Sequence, residues 1–223
     1  MNRREFIQWL TGLGSALIFR PGLTDSTTPQ HTRPIPSTGE RLPVIGLGSW
    51  ITFGIDPDDN ATMNKREQVL REFLKLGGGV LDSSPMYGNA EKVIGLCLQR
   101  IGHHEGLFSA TKVWTHGHRQ GFFQMEQSQA LWGLPHLDLM QVHNLMDWKT
   151  HLPTLRAMQE EGKIRYVGVT TSHGRRHSEL IKIMRNESLD FVQFTYNLLV
   201  KQATTLKGAI NNHCNTLIGR HRQ

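Results

Sequence analysis

Short apolar runs alternate with longer amphipathic segments from about residue 41 towards the C-terminus. Apolar runs of about four to eight residues bounded by Gly or polar residues are typical of buried strands, whereas apolar residues three or four positions apart are typical of helices. The alternation occurs about six times, which predicts repeated βα units and a parallel sheet. The predicted strands are 44–48, 80–82, 107–113, 137–142, 164–169 and 189–194, with a short seventh at 216–218.

Helical patterns fill the intervals between these strands. Asn64, with Glu67 three residues later, resembles a helix start, and the glycines at 77–79 end that helix. Gly102 and Gly162 follow two further apolar patterns with helical spacing and are expected to terminate them. The remaining predicted helices are 91–101, 122–132, one around 152–158, one around 180–184, and 203–212.

Four side chains capable of acid–base chemistry follow three of the predicted strands. Asp82 and Tyr87 follow the second strand, Lys112 lies at the end of the third and His143 follows the fourth. The separations are 30 residues (112 − 82) and 31 residues (143 − 112), close to the ~30 residues of one strand–helix–strand unit. Parallel α/β barrels place their chemistry at the C-terminal ends of successive strands, so these four residues are expected to converge at one mouth.

The fold class that this spacing favours is α/β, a parallel (β/α)8 barrel with about six to seven of its βα units present. An open doubly wound sheet normally carries Gly-x-Gly-x-x-Gly after its first strand, but here Gly46 and Gly48 are followed by Ile51. A complete eight-unit barrel typically takes ~250 residues, more than the stretch from residue 41 provides. The barrel is therefore expected to be incomplete.

The chemistry of the four residues suits carbonyl reduction better than hydrolysis. Tyr87 is a natural proton donor to an oxygen becoming an alkoxide, but a phenol has an ordinary pKa of about 10. Lys112 is expected to favour the phenolate and Asp82 to hold the ammonium in place. His143 could hydrogen-bond the substrate oxygen. The set contains an acid and a polarising group but no nucleophile paired with a base.

The first forty residues predict an export signal and a linker. Arg3 and Arg4 precede a mostly apolar stretch, 6–19, too short to cross a bilayer comfortably. Adjacent arginines before such a stretch resemble a bacterial twin-arginine signal, which predicts a periplasmic or inner-membrane-tethered protein in contact with the export machinery. The alternative is an ordinary disordered or amphipathic N-terminus on a cytoplasmic protein. The expected divisions are a signal at 1–20, a Pro-rich linker at 21–40 and the barrel at 41–223.

Composition and charge exclude several other classes of protein. Hydrophobic residues make up 38% and charged residues 20% of the chain, which is typical of a globular protein. The formal charge is +6, but the basic residues are scattered and form no block alternating with aromatics, so nucleic-acid binding is not expected. His173 and His177 lie four residues apart without an evident third ligand, so no metal site is predicted. The oligomeric state does not follow from the sequence.

The motifs around these residues, taken together and in order, resemble the aldo-keto reductase family. Each motif alone would be weak, but their joint occurrence is specific. They are Gly-Leu-Gly-Ser-Trp at 46–50, Asp-Ser-Ser-Pro-Met-Tyr-Gly-Asn-Ala-Glu at 82–91, Ser-Ala-Thr-Lys at 109–112, Asp-Leu-Met-Gln-Val-His at 138–143, Gly-Lys-Ile-Arg-Tyr-Val-Gly at 162–168, and Val-Gln at 192–193.

The resemblance implies an NADPH-dependent (β/α)8 barrel in which hydride transfer reduces an aldehyde or ketone. It places the family's catalytic tetrad on four residues of this chain, with Tyr87 as proton donor. The other three are Asp82, Lys112 and His143.

The resemblance also implies a set of cofactor contacts. Gly48, Ser49 and Trp50 match the first-strand segment that faces the nicotinamide, and Gln193 matches the glutamine that binds its carboxamide. The usual Ser-Asn pair appears as the pair Thr170 and Thr171, which keeps a hydroxyl and loses the amide.

The later family segments that bind phosphate and choose between NADPH and NADH cannot be assigned after residue 199. A second hypothesis therefore stays open: a truncated, catalytically silent fragment or a cofactor-sensing subunit of the same family.

Overall fold

A computed structural model of the protein describes residues 31–102, 105–172 and 176–195, together with the backbone of a strand at 215–219. Seven parallel strands follow one another in sequence order around a curled sheet, the arrangement of an incomplete (β/α)8 barrel. They are β3 (Gly46–Gly48), β4 (Val80–Asp82), β5 (Phe108–Val113), β6 (Leu137–Val142), β7 (Ile164–Thr171), β8 (Phe191–Thr195) and β9 (Asn215–Gly219). The predicted fold class is confirmed.

Helices connect consecutive strands of this sheet. The five described α-helices are α1 (Asn60–Lys75), α2 (Ala90–Ile101), α3 (His118–Trp132), α4 (Trp148–Glu160) and α5 (His177–Asn186). Two short 3₁₀ turns, Pro85–Tyr87 and His143–Leu145, follow β4 and β6. The helix predicted at 203–212 lies outside the described residues.

Two helices begin four residues earlier than the sequence pattern predicts. Helix α1 begins at Asn60, not Asn64, because the Asp59 carboxylate caps it by accepting hydrogen bonds from Thr62 N at 3.1 Å and Thr62 Oγ1 at 2.6 Å. Helix α3 begins at His118, not at residue 122, and the amide of Gly117 before it donates to Asp147 Oδ2 at 2.8 Å. The capping partner of α3 comes from a distant loop, which local periodicity does not reveal.

An antiparallel hairpin closes the N-terminal end of the barrel. Its strands are β1 (Thr32–Pro34) and β2 (Arg41–Pro43). Ile35, in the connection between them, is fully buried and packs with Leu42 against inward-facing residues of the sheet. The hairpin overlaps the last part of the predicted linker at 21–40, and its apolar Ile35 covers an otherwise exposed barrel interior. The covered interior residues are Val80, Phe108, Ala110, Leu139, Tyr166 and Phe191.

The barrel interior changes from apolar to polar along the strands. Side chains alternate between the two faces of a strand, so every second residue points inward. On β5 the inward series runs from Phe108 through Ala110 to Lys112, while on β8 it runs from Phe191 to Gln193. The apolar layer near the hairpin supports a polar layer at the C-terminal mouth, and the candidate site lies in that polar layer.

Candidate active site

A buried ion pair between neighbouring strands forms the centre of the site. Lys112 Nζ lies 2.7 Å and 2.8 Å from the two carboxylate oxygens of Asp82, and it donates a third hydrogen bond of 2.6 Å to the carbonyl of Ser83. The Lys112 side chain is 1% exposed and that of Asp82 16%. An ammonium has three donors, so all three are engaged in these bonds. The ion pair is therefore both desolvated and geometrically fixed.

Tyr87 lies beside this ion pair. Its ring centroid is 5.5 Å from Lys112 Nζ, within the range of a cation–π contact. The tyrosine ends the 3₁₀ turn Pro85–Tyr87, which Ser84 caps by accepting a hydrogen bond from Met86 N at 3.3 Å. The structure thus brings together Tyr87, predicted to be a proton donor, and Lys112, the cation predicted to lie beside it.

The electrostatic effect on Tyr87 is opposite to the sequence-based expectation. Burial, followed by the negative charge of Asp82, raises the pKa of the Tyr87 phenol well above its ordinary value. Lys112 was expected to favour the phenolate, but its ammonium is already neutralised by Asp82 and its donors are bonded to Asp82 and Ser83. Tyr87 therefore holds its proton firmly near neutral pH.

His143 completes the predicted set of four. Its ring packs edge-on against Tyr87 with 5.8 Å between centroids, and its Nδ1 lies 2.8 Å from Ser84 Oγ. His143 is 5% exposed. All four residues predicted to be catalytic are thus neighbours at one mouth of the barrel.

Two glutamines from later strands also approach Asp82. Gln193 Nε2 donates to Asp82 Oδ2 at 3.2 Å, and Gln141 Nε2 lies 3.5 Å from Asp82 Oδ1. Gln141 and Ser84 are not among the site residues predicted from the sequence. Gln141 lies two residues after the inward-facing Leu139 on β6, hence on the same face of that strand, and that period of two was the available signal. Ser84 lay within the motif that contains Asp82 and Tyr87.

The three residues predicted to contact a nicotinamide from the first strand have different environments. Ser49 is fully buried and donates to Ser83 Oγ at 2.8 Å, so its hydroxyl supports the site from behind. Gly48 has open space where a Cβ would be. Trp50 is 42% exposed, and its ring centroid lies 6.5 Å from that of Tyr87. Gly48 and Trp50 therefore border the open mouth, whereas Ser49 lies beneath it.

The two threonines that end β7 have separate surroundings. Thr170 Oγ1 accepts a hydrogen bond from Asn144 N at 3.0 Å, tying β7 to the loop after His143. The Asn144 side-chain oxygen in turn accepts from Ser172 N at 2.8 Å. Thr171 Oγ1 is buried and has no hydrogen-bond partner within the described part of the chain. Thr170 thus holds a loop, whereas the Thr171 hydroxyl has no partner among the residues that the structure describes.

The upper barrel layer fits a bound carboxamide. Gln193 uses its Nε2 on Asp82, while its Oε1 is buried without a hydrogen-bond partner among the described residues. A buried acceptor without a donor is costly, and a ligand amide would satisfy it. Gly48, across the mouth, leaves room for a planar ring. Gln193 and the open space at Gly48 could therefore hold the nicotinamide end of a cofactor.

Large apolar side chains surround the mouth. Met86 is 43% exposed, and Trp114 is 36% exposed with its ring centroid 6.5 Å from that of His143. Trp148 donates from Nε1 to Glu179 Oε1 at 3.0 Å.

Within the ranges that the structure describes, no His, Cys, Asp and Glu side chains form a group of three able to hold a metal ion, and His173 lies outside those ranges. None of the described helices combines the length and apolar character needed to span a bilayer.

Comparison with known proteins finds a family model and curated reductases that are similar to this chain. Residues 44–216 match the model of the aldo/keto reductase family. An L-glyceraldehyde 3-phosphate reductase of Escherichia coli K12 is 26% identical over 183 residues, covering 73% of this chain and 52% of that protein. A glyoxal reductase of Bacillus subtilis is 28% identical over 149 residues, 65% of this chain and 51% of that protein. The chain thus spans about half the length of these curated relatives.

Solved structures show the same fold. A putative aldo-keto reductase from Pseudomonas aeruginosa superposes with a TM-score of 0.70 at 21% identity, covering 87% of this chain and 80% of that one. A Bombyx mori aldo-keto reductase in complex with NADP superposes with a TM-score of 0.64 at 17% identity, covering 81% of this chain and 64% of that one. Because the family model matches most of the chain, the protein belongs to the aldo/keto reductase family.

Proposed function

We propose that this protein is an NADPH-dependent oxidoreductase that reduces an aldehyde or ketone to an alcohol, with Tyr87 as the proton donor. The observation that carries the proposal is the buried Lys112–Asp82 ion pair beside the Tyr87 ring, with His143 against its edge. Two relatives named as reductases and a structural neighbour in complex with NADP support the class of reaction and cofactor. The substrate is a small carbonyl compound.

The protonated phenol is the form that a proton donor requires. The raised pKa of Tyr87 keeps the proton in place until a stronger base, a developing alkoxide, comes within reach. Lys112 stays paired with Asp82 beside the ring, so the basicity of the developing alkoxide, and not the ammonium, drives the proton transfer. His143, 5% exposed at the same mouth, is a hydrogen-bonding group near the expected position of the substrate oxygen.

The nicotinamide would lie between Gln193 and the space at Gly48. Bound NADPH supplies the hydride. Gln193 would accept a hydrogen bond from the carboxamide through Oε1, which has no partner among the described residues, with Thr171 as a second polar group on the neighbouring strand. Trp50 and Trp114 would exclude water above the reacting carbon. This chain's contribution is therefore orientation, exclusion of water and transfer of one proton.

The test is a fluorescence titration of NADPH against the 223-residue chain, paired with NADPH oxidation over a broad panel of aldehydes and ketones. Saturable binding together with carbonyl-dependent oxidation supports the proposal. A chain that neither binds NADPH nor oxidises it with any carbonyl contradicts it.

A second candidate function, cofactor binding without turnover, is favoured by one specific observation. All three donors of Lys112 are bonded to Asp82 and Ser83, so the ammonium makes no additional full hydrogen bond to the Tyr87 oxygen. A sensor or silent subunit would bind NADPH through Gln193 while leaving Tyr87 without a catalytic role. Normal NADPH affinity without oxidation by any carbonyl would identify this function.

We also propose that residues 1–20 direct export through the twin-arginine route, which would place the protein in the periplasm or at the inner membrane. The motivation is the Arg3-Arg4 pair ahead of the apolar segment. Fractionation of bacteria expressing the full chain and an Arg3→Lys/Arg4→Lys variant tests this. We expect the variant to stay in the cytoplasm and the unchanged chain to be exported. The same distribution of both proteins between the fractions would contradict export by this route.

A further inference from the structure

The proposed chemistry makes no use of a second buried carboxylate, that of Glu91. Glu91 is 2% exposed and lies in the first turn of helix α2. Three side-chain donors from two other elements converge on it. Glu91 Oε1 accepts hydrogen bonds from Thr111 Oγ1 at 2.5 Å and Trp132 Nε1 at 3.1 Å, and Oε2 accepts from Ser128 Oγ at 3.0 Å.

The position of Glu91 in the chain connects it to Tyr87. Glu91 follows Tyr87 by four residues, and Gly88 between them adopts a positive φ of 61°, turning the chain from the 3₁₀ turn into helix α2. The path from the carboxylate to the phenol is therefore short and sharply bent. Holding Glu91 limits how far the Tyr87 segment can move.

The hydrogen bond from Thr111 connects Glu91 to the strand that carries Lys112. Thr111 immediately precedes Lys112 on β5, and successive side chains on a strand point to opposite faces. Thr111 therefore reaches outward to helix α2 while Lys112 reaches inward to Asp82. The Glu91–Thr111 bond joins the segment that carries the proton donor to the strand that carries its cation.

We propose that Glu91 is a positioning residue that fixes the Tyr87 segment against the Lys112 strand through its hydrogen bond to Thr111. The inference rests on the proposed reductase function for its catalytic consequence, but the placement of Lys112 can be measured separately. Ser128 offers a matched control, because it donates to the same carboxylate from helix α3, through a hydrogen bond that involves neither strand β5 nor the Tyr87 turn.

The experiment compares Thr111→Val with Ser128→Ala, each of which removes one buried hydroxyl donor to Glu91. Thr111→Val is expected to lower kcat by at least about tenfold, since small displacements of catalytic groups have large effects on rate. Its Kd for NADPH is expected to stay within about twofold of wild type, and Ser128→Ala is expected to keep both values. Equal losses of kcat in the two variants, or no loss in Thr111→Val, overturn the proposal.

A readout that needs no turnover separates this proposal from the reductase function. The buried, triply bonded Lys112 ammonium is expected to give a slowly exchanging ¹H–¹⁵N NMR signal, assigned by its loss in Lys112→Met. The signal should shift in Thr111→Val and stay in place in Ser128→Ala. If the wild-type chain has no activity, the reductase proposal fails, and this pattern still supports positioning, whereas an unmoved signal in Thr111→Val overturns it.

Glu91→Gln provides a second variant should Thr111→Val not fold. The amide keeps an oxygen acceptor for Thr111 and Trp132, and its NH₂ can donate to the Ser128 hydroxyl. It is expected to preserve the Lys112 signal and, in an active enzyme, kcat within about threefold. Displacement of that signal in a folded Glu91→Gln protein overturns the proposal.

Discussion

Ser84 Oγ lies 2.8 Å from Nδ1 of His143, and the same oxygen accepts the amide of Met86 at 3.3 Å. One hydroxyl thus connects the imidazole to the turn that ends at Tyr87. Because a ring nitrogen fixed by one hydrogen bond determines the role of the other, Ser84 also controls how His143 presents its Nε2.

Ser84→Ala is expected to remove both hydrogen bonds of this hydroxyl while leaving the other side chains of the site in place. Turnover should fall by about tenfold, through loss of an oriented hydrogen-bonding group, and the free energy of unfolding by about 1 kcal/mol, through loss of the cap. Steady-state kinetics and urea denaturation measure the two effects. Ser84→Thr keeps a hydroxyl and serves as the control; equal activity in the Ala and Thr variants would show that the hydroxyl has no orienting role.

Replacing one partner of the Lys112–Asp82 ion pair should lower the free energy of unfolding more than replacing both partners. Asp82→Asn leaves the Lys112 ammonium buried without its counterion, which is expected to lower the free energy of unfolding by about 3–5 kcal/mol. Asp82→Asn in a Lys112→Met background should cost clearly less, because no unpaired charge remains. A double-mutant cycle by urea denaturation measures the coupling. Additive losses would mean that the two residues do not stabilise each other.

Glu91 gives stability a specific dependence on pH. Burial raises the pKa of its carboxyl above the ordinary value of 4.5, despite the opposing hydrogen bonds from Thr111, Trp132 and Ser128. Between the ordinary and the raised value the folded protein binds more protons than the unfolded chain, so stability falls as pH rises through that window.

Glu91→Gln lacks this titration, so its stability relative to wild type is expected to increase as pH rises from 4.5 through the raised pKa. Urea denaturation of both proteins across that range measures the difference. A constant difference between the two proteins at every pH would contradict burial as the dominant effect on this carboxyl.

Helices α2 and α3 pack closely against each other at Gly95. A Cβ added to Gly95 of helix α2 would lie 1.9 Å from the carbonyl oxygen of Leu131 in helix α3. Backbone on both sides would have to shift, so Gly95→Ala is expected to cost about 3 kcal/mol of unfolding free energy. Gly48→Ala is the control, since its Cβ would meet open space. Thermal and urea unfolding of both variants check the expectation, and equal stabilities would contradict it.

The sequence was sufficient to predict the parallel sheet and the convergence of the four candidate catalytic residues. Strand β6 has the predicted bounds, and the seventh strand near residues 216–218 is present. These features follow from strong apolar runs and from the regular spacing between strand ends, both of which are local patterns. Asp82 and Lys112 meet because the parallel register places adjacent strand ends side by side.

Features that depend on long-range contacts could not be predicted in the same way. The hairpin at the barrel base is marked in sequence by Pro and polar residues, and its role appears only when Ile35 is seen to fill the interior. The charge balance around Tyr87 also required the structure, because spacing alone does not show that Asp82 neutralises Lys112. The direction of the Tyr87 pKa shift follows from that pairing and from burial.

The proposed role of Tyr87 is to donate the proton in an NADPH-dependent reduction of a carbonyl. The most direct measurement is the NADPH affinity and the carbonyl-dependent NADPH oxidation of wild type and Tyr87→Phe, side by side. We expect unchanged affinity for NADPH and a fall in turnover of about 10²–10⁴-fold in the variant. Equal turnover in the two proteins, or a wild-type chain that binds NADPH and oxidises it with no carbonyl, would contradict the claim.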